Sequence, residues 1–333
     1  MDKNQEYWRP SASLKTLQQR AQILERIRKY FTSQGVLEVE TPLLASATIP
    51  DPNIPSFTLH NSDTDSPSRK GQLYLNTSPE FSMKRLLAAG SGPIFQVCKA
   101  FRQGEQGRLH NPEFTLLEWY RPGYDHQRLM NEVADLVNTL ATGYRQFKGE
   151  ERITYGQCFQ QYLGVDPFVA DITQLQELAR DEGIGDIPGL TDSDRDGWLD
   201  LLMGHCIQPQ LGKDRLTFVY DYPASQAALA RLKAGSTPAV AERFELFVDG
   251  VELANGFHEL KNMEEQKSRF ENDMKKRKTL GLKPVAIDHY LLDALASGIP
   301  DCAGVAVGLD RLQLVLAGAS RLDEVMAFPF NRV

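Results

Sequence analysis

Cysteine is scarce in this chain, and the four that occur, Cys98, Cys158, Cys206 and Cys302, lie far apart with no CxxC pair. That spacing excludes a thiolate zinc ribbon and fits a reducing cytoplasm. The six histidines include no pair at helical ligand spacing, so no zinc site is expected. Long apolar runs are also missing. None approaches the roughly 20 residues needed to span a bilayer, and the polar start from Met1 to Glu6 is unlike a secretory signal. A soluble, cytoplasmic protein with no membrane partner is therefore expected. Positive charge is not in excess either: 44 acidic against 37 basic residues give a net charge of -7, which argues against broad electrostatic binding to nucleic acid.

With 333 residues and 41% hydrophobic content, the chain can bury a large core in one big domain or two modest ones. Leu17, Ala21, Leu24, Ile27 and Phe31 recur at steps of three or four, which predicts an amphipathic helix from Leu14, capped by Ser13 and stopped at Gly35. It runs into a strand from Val36 to Pro42, with Leu37 and Val39 alternating with Glu38 and Glu40. Residues 45 to 72, rich in Ser, Pro, Asp and Thr, read as a long loop. A helix then opens with Ser78 as cap and Pro79 at its first position, and ends at Gly90. Further helices are expected at 127–144 and about 263–280, with a mostly helical insertion at about 145–212. Strands are expected at 216–220 and 244–248, and a glycine-rich strand at 304–308 passes straight into a last helix. Strands grouped in hairpins, with helices between them, predict an α+β fold with an antiparallel sheet.

The stretch from Phe101 to Tyr120 is the most informative. Two alternating segments flank a polar loop: Ile94, Gln96, Cys98, Ala100 and Arg102 share one face, as do Phe114, Leu116, Glu118 and Tyr120. An arginine near a flat aromatic with polar anchors suits a nucleotide and a small cationic substrate. Further along, Asn255-Gly256 is a strong hairpin signal between two acids. If it is the turn, Glu252 faces Glu259, and two opposed carboxylates call for a cation such as Mg²⁺ carrying a nucleotide. Arg311 lies in the first turn of the final helix, after Gly308, where backbone donors already favour an anion.

Together these segments resemble the class II aminoacyl-tRNA synthetases. The first helix with Gly35 and Pro42 resembles motif 1, the hairpin around Arg102 motif 2, and Gly304 to Arg311 motif 3. Within the class the chain is most similar to the lysyl-tRNA synthetase catalytic domain, through residues 110–114, 252–259 and Arg311, and the likeness runs from Ser13 to Pro329. The motif 1 helix starts almost at once, so no OB-fold and no anticodon recognition are expected, with 1–333 as a single catalytic domain. This pattern, with residues 77–87 and 117–122 and with Ala306 where lysyl synthetases have glycine, resembles the truncated paralogues that ligate (R)-β-lysine to elongation factor P.

The resemblance implies ATP and Mg²⁺ as cofactors, β-lysine or lysine as substrate, elongation factor P as protein partner, and a homodimer. It implies that Arg102, Gln103, Gly104, Glu105, His110, Asn111, Phe114, Glu252, Leu253, Gly308 and Arg311 hold the nucleotide, with Glu252 and Glu259 at the metal. Ser78, Pro79, Glu80, Glu118, Tyr120, Asn255, Glu259 and Ala306 would hold the amino acid. Arg102, Arg311, Glu252 and Glu259 would carry the chemistry. One departure stands out: the family has Phe-Arg-x-Glu, whereas here Gly104 takes the fourth place and Glu105 follows it. The alternatives are a shortened lysyl synthetase that charges tRNA and a non-catalytic amino-acid sensor.

Overall fold

The structure is a computed structural model and describes residues 8–61, 71–185, 190–191 and 194–333. These fall into two compact units, Met1–Gly123 with Lys261–Cys302 and Ala306–Val333, and Tyr124–Leu260 with Ala303–Val305.

The first unit opens with α1 (Leu14–Ser33), where the Ser13 hydroxyl accepts the Thr16 N–H at 3.1 Å and Ile23, Ile27 and Phe31 form the buried stripe. Gly35, at φ 69°, reverses the chain so that the Val36 N–H reaches the Phe31 carbonyl. The expected strand from Val36 to Pro42 shrinks to β1 (Leu37–Glu38), both of whose residues are exposed. The turn buries Val36 and leaves Leu37 55% exposed. The expected loop at 45–72 is also corrected. β2 (Leu44–Ala45), β3 (Thr58–Asn61) and β4 (Gly71–Leu75) form a small antiparallel sheet ordered β2-β4-β3. The side chains of β2 and β3 are largely exposed, so no apolar alternation marks them. Residues 62–70 of that stretch lie outside the described residues.

Next come α2 (Glu80–Ala88), β5 (Ile94–Phe101) and β6 (Glu113–Pro122). β1 pairs with β5 in parallel, and β5 pairs with β6 antiparallel. Phe31 stacks on Phe95 at 4.6 Å and tilts against Trp119 at 5.2 Å, so α1 covers one face of the hairpin. The opposite face carries the polar residues singled out above.

The second unit holds α3 (His126–Ala141), β7 (Glu150–Thr154), α4 (Tyr155–Leu163), α5 (Ile172–Asp181), α6 (Arg195–Leu202), β8 (Leu216–Pro223), β9 (Val240–Val248) and β10 (Val251–His258). Its strands run in the order β10-β9-β8-β7, with only β7·β8 parallel. The insertion at 145–212 thus starts with a strand, though helices dominate the rest, and its residues 186–189 and 192–193 lie outside the described ones. Tyr155, Phe159, Leu175, Leu202 and Phe247 pack its core.

The chain then returns to the first unit with α7 (Met263–Thr279) and α8 (His289–Ser297), the latter not expected from sequence. β11 (Cys302–Gly308) leads directly into α9 (Leu309–Ala317). The fold is α+β, with mixed rather than purely antiparallel pairing. Among the described residues no helix is long and apolar enough to cross a membrane.

Candidate active site

In the β5–β6 hairpin Gln96 lies opposite Glu118 and Ala100 opposite Phe114, which places the expected residues on one face in register. Glu118 is 2% exposed. Its carboxylate accepts from the Ser78 hydroxyl at 2.8 Å and from the Tyr120 hydroxyl at 2.7 Å. Ser78 in turn accepts the Glu80 N–H at 3.0 Å, so α2 starts at Glu80 and Ser78 still caps it across Pro79. The Glu80 carboxylate takes a bond from Lys84 at 2.6 Å, one turn along the helix. Negative charge concentrates here: burial, then neighbouring Glu118, pushes the Cys98 thiol up to about 12.

At the other end of the same face, the Arg102 guanidinium carbon sits 5.1 Å from the centre of the Phe114 ring. Its Nη1 meets Glu105 at 3.4 Å, and its buried Nε has no acceptor. A buried donor without a partner is unusual in a folded protein, and a ligand oxygen would answer it. Gly104, at φ 82°, adopts a conformation that favours glycine, and the chain turned there brings Glu105 back to Arg102. The adjoining Gln103 N–H bonds to the Pro55 carbonyl at 2.8 Å.

Arg311 closes onto the same loop. Its Nε donates to the Leu109 carbonyl at 3.1 Å, and its Nη2 lies 2.7 Å from His110 Nε2. Asn111 braces the loop: its amide donates to the Glu113 carbonyl and its oxygen accepts the Phe330 N–H. On β11 the half-buried Ala306 and Gly308 alternate with the buried Val305 and Val307. An alanine methyl at position 308 would only touch the Arg311 side chain, at 3.8 Å.

Sequence reasoning missed the group that joins the three motifs. Asp310, 3% exposed, accepts from Arg20 of α1 at 2.7 Å and from the Thr115 N–H of β6 at 2.6 Å. Arg20 also bonds to the Thr115 hydroxyl and to Gln313. A charged residue on the buried side of both α1 and α9 was the available signal.

In the second unit the expected turn at Asn255-Gly256 is corrected. The β9–β10 turn is Asp249-Gly250, with φ 50° and 74°, and β10 runs unbroken through Asn255 and Gly256. Glu252 and Glu259 therefore do not face each other across a hairpin. They lie along one chain, seven positions apart, which in a regular strand would point them to opposite faces. A bulge between Glu252 and Ala254 inserts one residue and reverses the alternation. Glu252 pairs with Phe247, Asn255 with Glu245 and Phe257 with Arg243, so these share a face, and continued alternation places Glu259 on it.

Leu253 and Glu259 are buried. The Asn255 side-chain oxygen accepts from Arg243 at 3.3 Å, and Arg243 also bonds to Glu245. Burial pushes Glu245 up, Arg243 opposes this, and Glu252 adds to the push. The carboxylate on which Glu252 acts from the neighbouring strand is thus Glu245, which sequence reading had placed only as a strand residue.

The family model for class II tRNA synthetases (D, K and N) matches residues 4–332. A Salmonella arizonae protein named elongation factor P–(R)-beta-lysine ligase is 49% identical over 325 residues, 98% of each chain. Proteins of the same name from Salmonella paratyphi B and Salmonella dublin also match at 49% identity, over 98% of each chain.

Proposed function

Because the chain belongs to the class II tRNA synthetase family, and to the branch of ligases that its 49% identical relatives represent, we propose that it activates (R)-β-lysine with ATP and transfers it to a lysine of elongation factor P. One observation carries this reading. Buried Glu118, bonded by Ser78 and Tyr120, shares a strand face with Phe114, over which Arg102 lies. Four residues of strand separate the acid from the aromatic, roughly 13 Å. A carboxylate for an ammonium group at one end and a guanidinium with an aromatic platform at the other suit the two ends of an aminoacyl-adenylate.

In this reading Ser78, Pro79, Glu80, Glu118 and Tyr120 hold the amino acid, and Arg102, Gln103, Gly104, Glu105, His110, Asn111, Phe114, Gly308 and Arg311 hold ATP. Leu253 adds a nucleotide contact, and Asn255 and Glu259 add contacts to the amino acid. The substrate carboxylate attacks the α-phosphorus and pyrophosphate leaves; Arg102 holds carboxylate and phosphate together and Arg311 stabilises the departing charge. The lysine ε-amine then attacks the acyl carbon, forming an amide and releasing AMP. Oxygen-only donors suit Mg²⁺, and Glu252 with Glu259 would hold it. Bound there, Mg²⁺ would neutralise phosphate charge. Ala306 narrows the space beside the carboxylate and favours an amine on the β-carbon.

Exposed Leu14, Leu37, Leu43 and Leu44 in the motif 1 segment support a homodimer, and the absence of a membrane-length helix among the described residues is compatible with a cytoplasmic enzyme. The test is mass spectrometry of elongation factor P after incubation with the protein, ATP, Mg²⁺ and β-lysine, beside charging of total tRNA. A gain of one lysyl mass on the factor supports the reading; charging of tRNA alone overturns it.

A further inference from the structure

On the sheet face opposite Glu252 and Asn255, four elements of the second unit bring together side chains the proposed chemistry does not use. His126 starts α3, Glu242 lies on β9 and His258 ends β10. One ligand atom from each lies within 4.8 Å of the others. His126 and His258 are 5% and 2% exposed, so this is an interior cluster and not a surface accident. The His258 Nδ1 is 2.9 Å from a Glu242 oxygen. Asp221 adds a fourth group: one of its oxygens lies 3.9 Å from His126 Nε2.

Two features separate this from an ordinary hydrogen-bonded cluster. The buried Nδ1 of His126 and the His126-facing oxygen of Asp221 each have no hydrogen-bond partner, although each is enclosed. The ladder breaks at Asp221: β9 bulges opposite it, with Arg243 and Glu242 facing this one β8 residue, and Asp221 itself sits at φ 57°, a device that re-aims side chains out of the ladder. Its other oxygen is held by Lys233 at 2.8 Å, and Glu242 is held by Arg231. The carboxylates are thus steered from outside by cations, as metal ligands commonly are by their surrounding shell.

We propose that His126, His258 and Glu242, with Asp221 as fourth ligand, form a binding site for one transition-metal dication, with zinc as the best match. Two imidazoles and carboxylate oxygens suit zinc and not magnesium or calcium. Bonds of about 2 Å in a tetrahedron hold ligand atoms roughly 3.3 Å apart, so side-chain rotation of about an ångström closes the set. The ligands lie on four separate elements, which is why spacing along the chain showed no zinc motif.

The test uses the full chain, stripped with a chelator and titrated at neutral pH with zinc by calorimetry and with cobalt by visible absorption. One equivalent of each is expected, with the intense bands of four-coordinate cobalt and no thiolate charge transfer. His126→Ala and Glu242→Gln should each weaken binding at least tenfold while far-UV circular dichroism stays unchanged. Glu252→Gln should leave cobalt binding intact, which separates this site from the proposed magnesium site. Failure of the intact protein to bind equimolar zinc, cobalt bands of thiolate character, or undiminished binding in both the His126 and Glu242 variants would each overturn the proposal.

Discussion

Asp310 accepts the backbone N–H of Thr115 at 2.6 Å, a contact spanning 195 residues of chain. The other oxygen of the same carboxylate takes Arg20 at 2.7 Å, so one buried acid ties α9 to α1 and to β6. Two charge-assisted bonds to an acid 3% exposed make this a point where stability is concentrated. Asp310→Ala strands Arg20 and an amide, and with Arg20 part-exposed the expected loss is about 2–4 kcal/mol. Urea denaturation reads it directly. Asp310→Asn, which keeps one acceptor, should lose less; equal losses would mean that packing and not hydrogen bonding explains the site.

Gly256 is glycine for packing and not for turning. A Cβ there would stand 2.4 Å from the Phe244 ring and 3.0 Å from Val305, both buried. Gly256→Ala should therefore cost about 1–3 kcal/mol through overpacking, and adding Phe244→Leu should return part of it. At Gly104 the reasons are reversed, with open space around the missing Cβ but φ 82°. Gly104→Ala should cost about 1 kcal/mol from backbone strain alone, with no rescue by any neighbouring truncation.

Arg102 and Glu105 give separable effects on pyrophosphate exchange. Loss of the guanidinium in Arg102→Ala removes a donor aimed at developing charge, and the exchange rate should fall about 10²–10³-fold. Glu105 only steadies that guanidinium, through a 3.4 Å contact between part-exposed groups. Glu105→Gln should raise the KM for ATP about two- to fivefold with little change in kcat. A larger effect on kcat would give Glu105 a direct part in the reaction.

Most of the frame was legible where period and punctuation agree. Ser13, Gly35 and the stripe from Leu17 to Phe31 fixed α1, and alternation on either side of the 102–112 loop fixed β5 and β6, because burial on one face writes itself into sequence. What was not legible depends on partners far away in the chain. Asn255-Gly256 carries a turn signature yet lies mid-strand, because Asp249-Gly250, with the same kind of signature, took the turn first. The face of Glu259 depends on a bulge that no local pattern announces. β3 pairs through its backbone with its side chains in water, which leaves propensity nothing to read. The push of Glu252 on Glu245 and the hold of Asp310 on Arg20 and Thr115 exist only once the sheets are assembled.

Asp273 on α7 predicts a pH dependence of stability whose sign is opposite to that of most carboxylates. Partial burial and neighbouring Asp51 push its pKa up to about 6, against the pull of Lys276 and Arg269. The folded state therefore keeps the proton between about pH 4 and 6 while the unfolded chain has lost it. Since stability falls with rising pH wherever the folded state binds more protons, this group costs stability as pH climbs through that window, and the full cost is present above it. The side chain is partly solvated, so the penalty at pH 8 is about 1 kcal/mol after screening. Asp273→Asn removes the charge and should be more stable than the parent by that amount at pH 8. The advantage should shrink as pH drops below 6 and vanish below about pH 4. Guanidinium denaturation of both proteins at pH 8, 6 and 4 measures the three points. A variant less stable at pH 8, or a difference that does not change with pH, would show that Asp273 is held by its cations and not strained by Asp51.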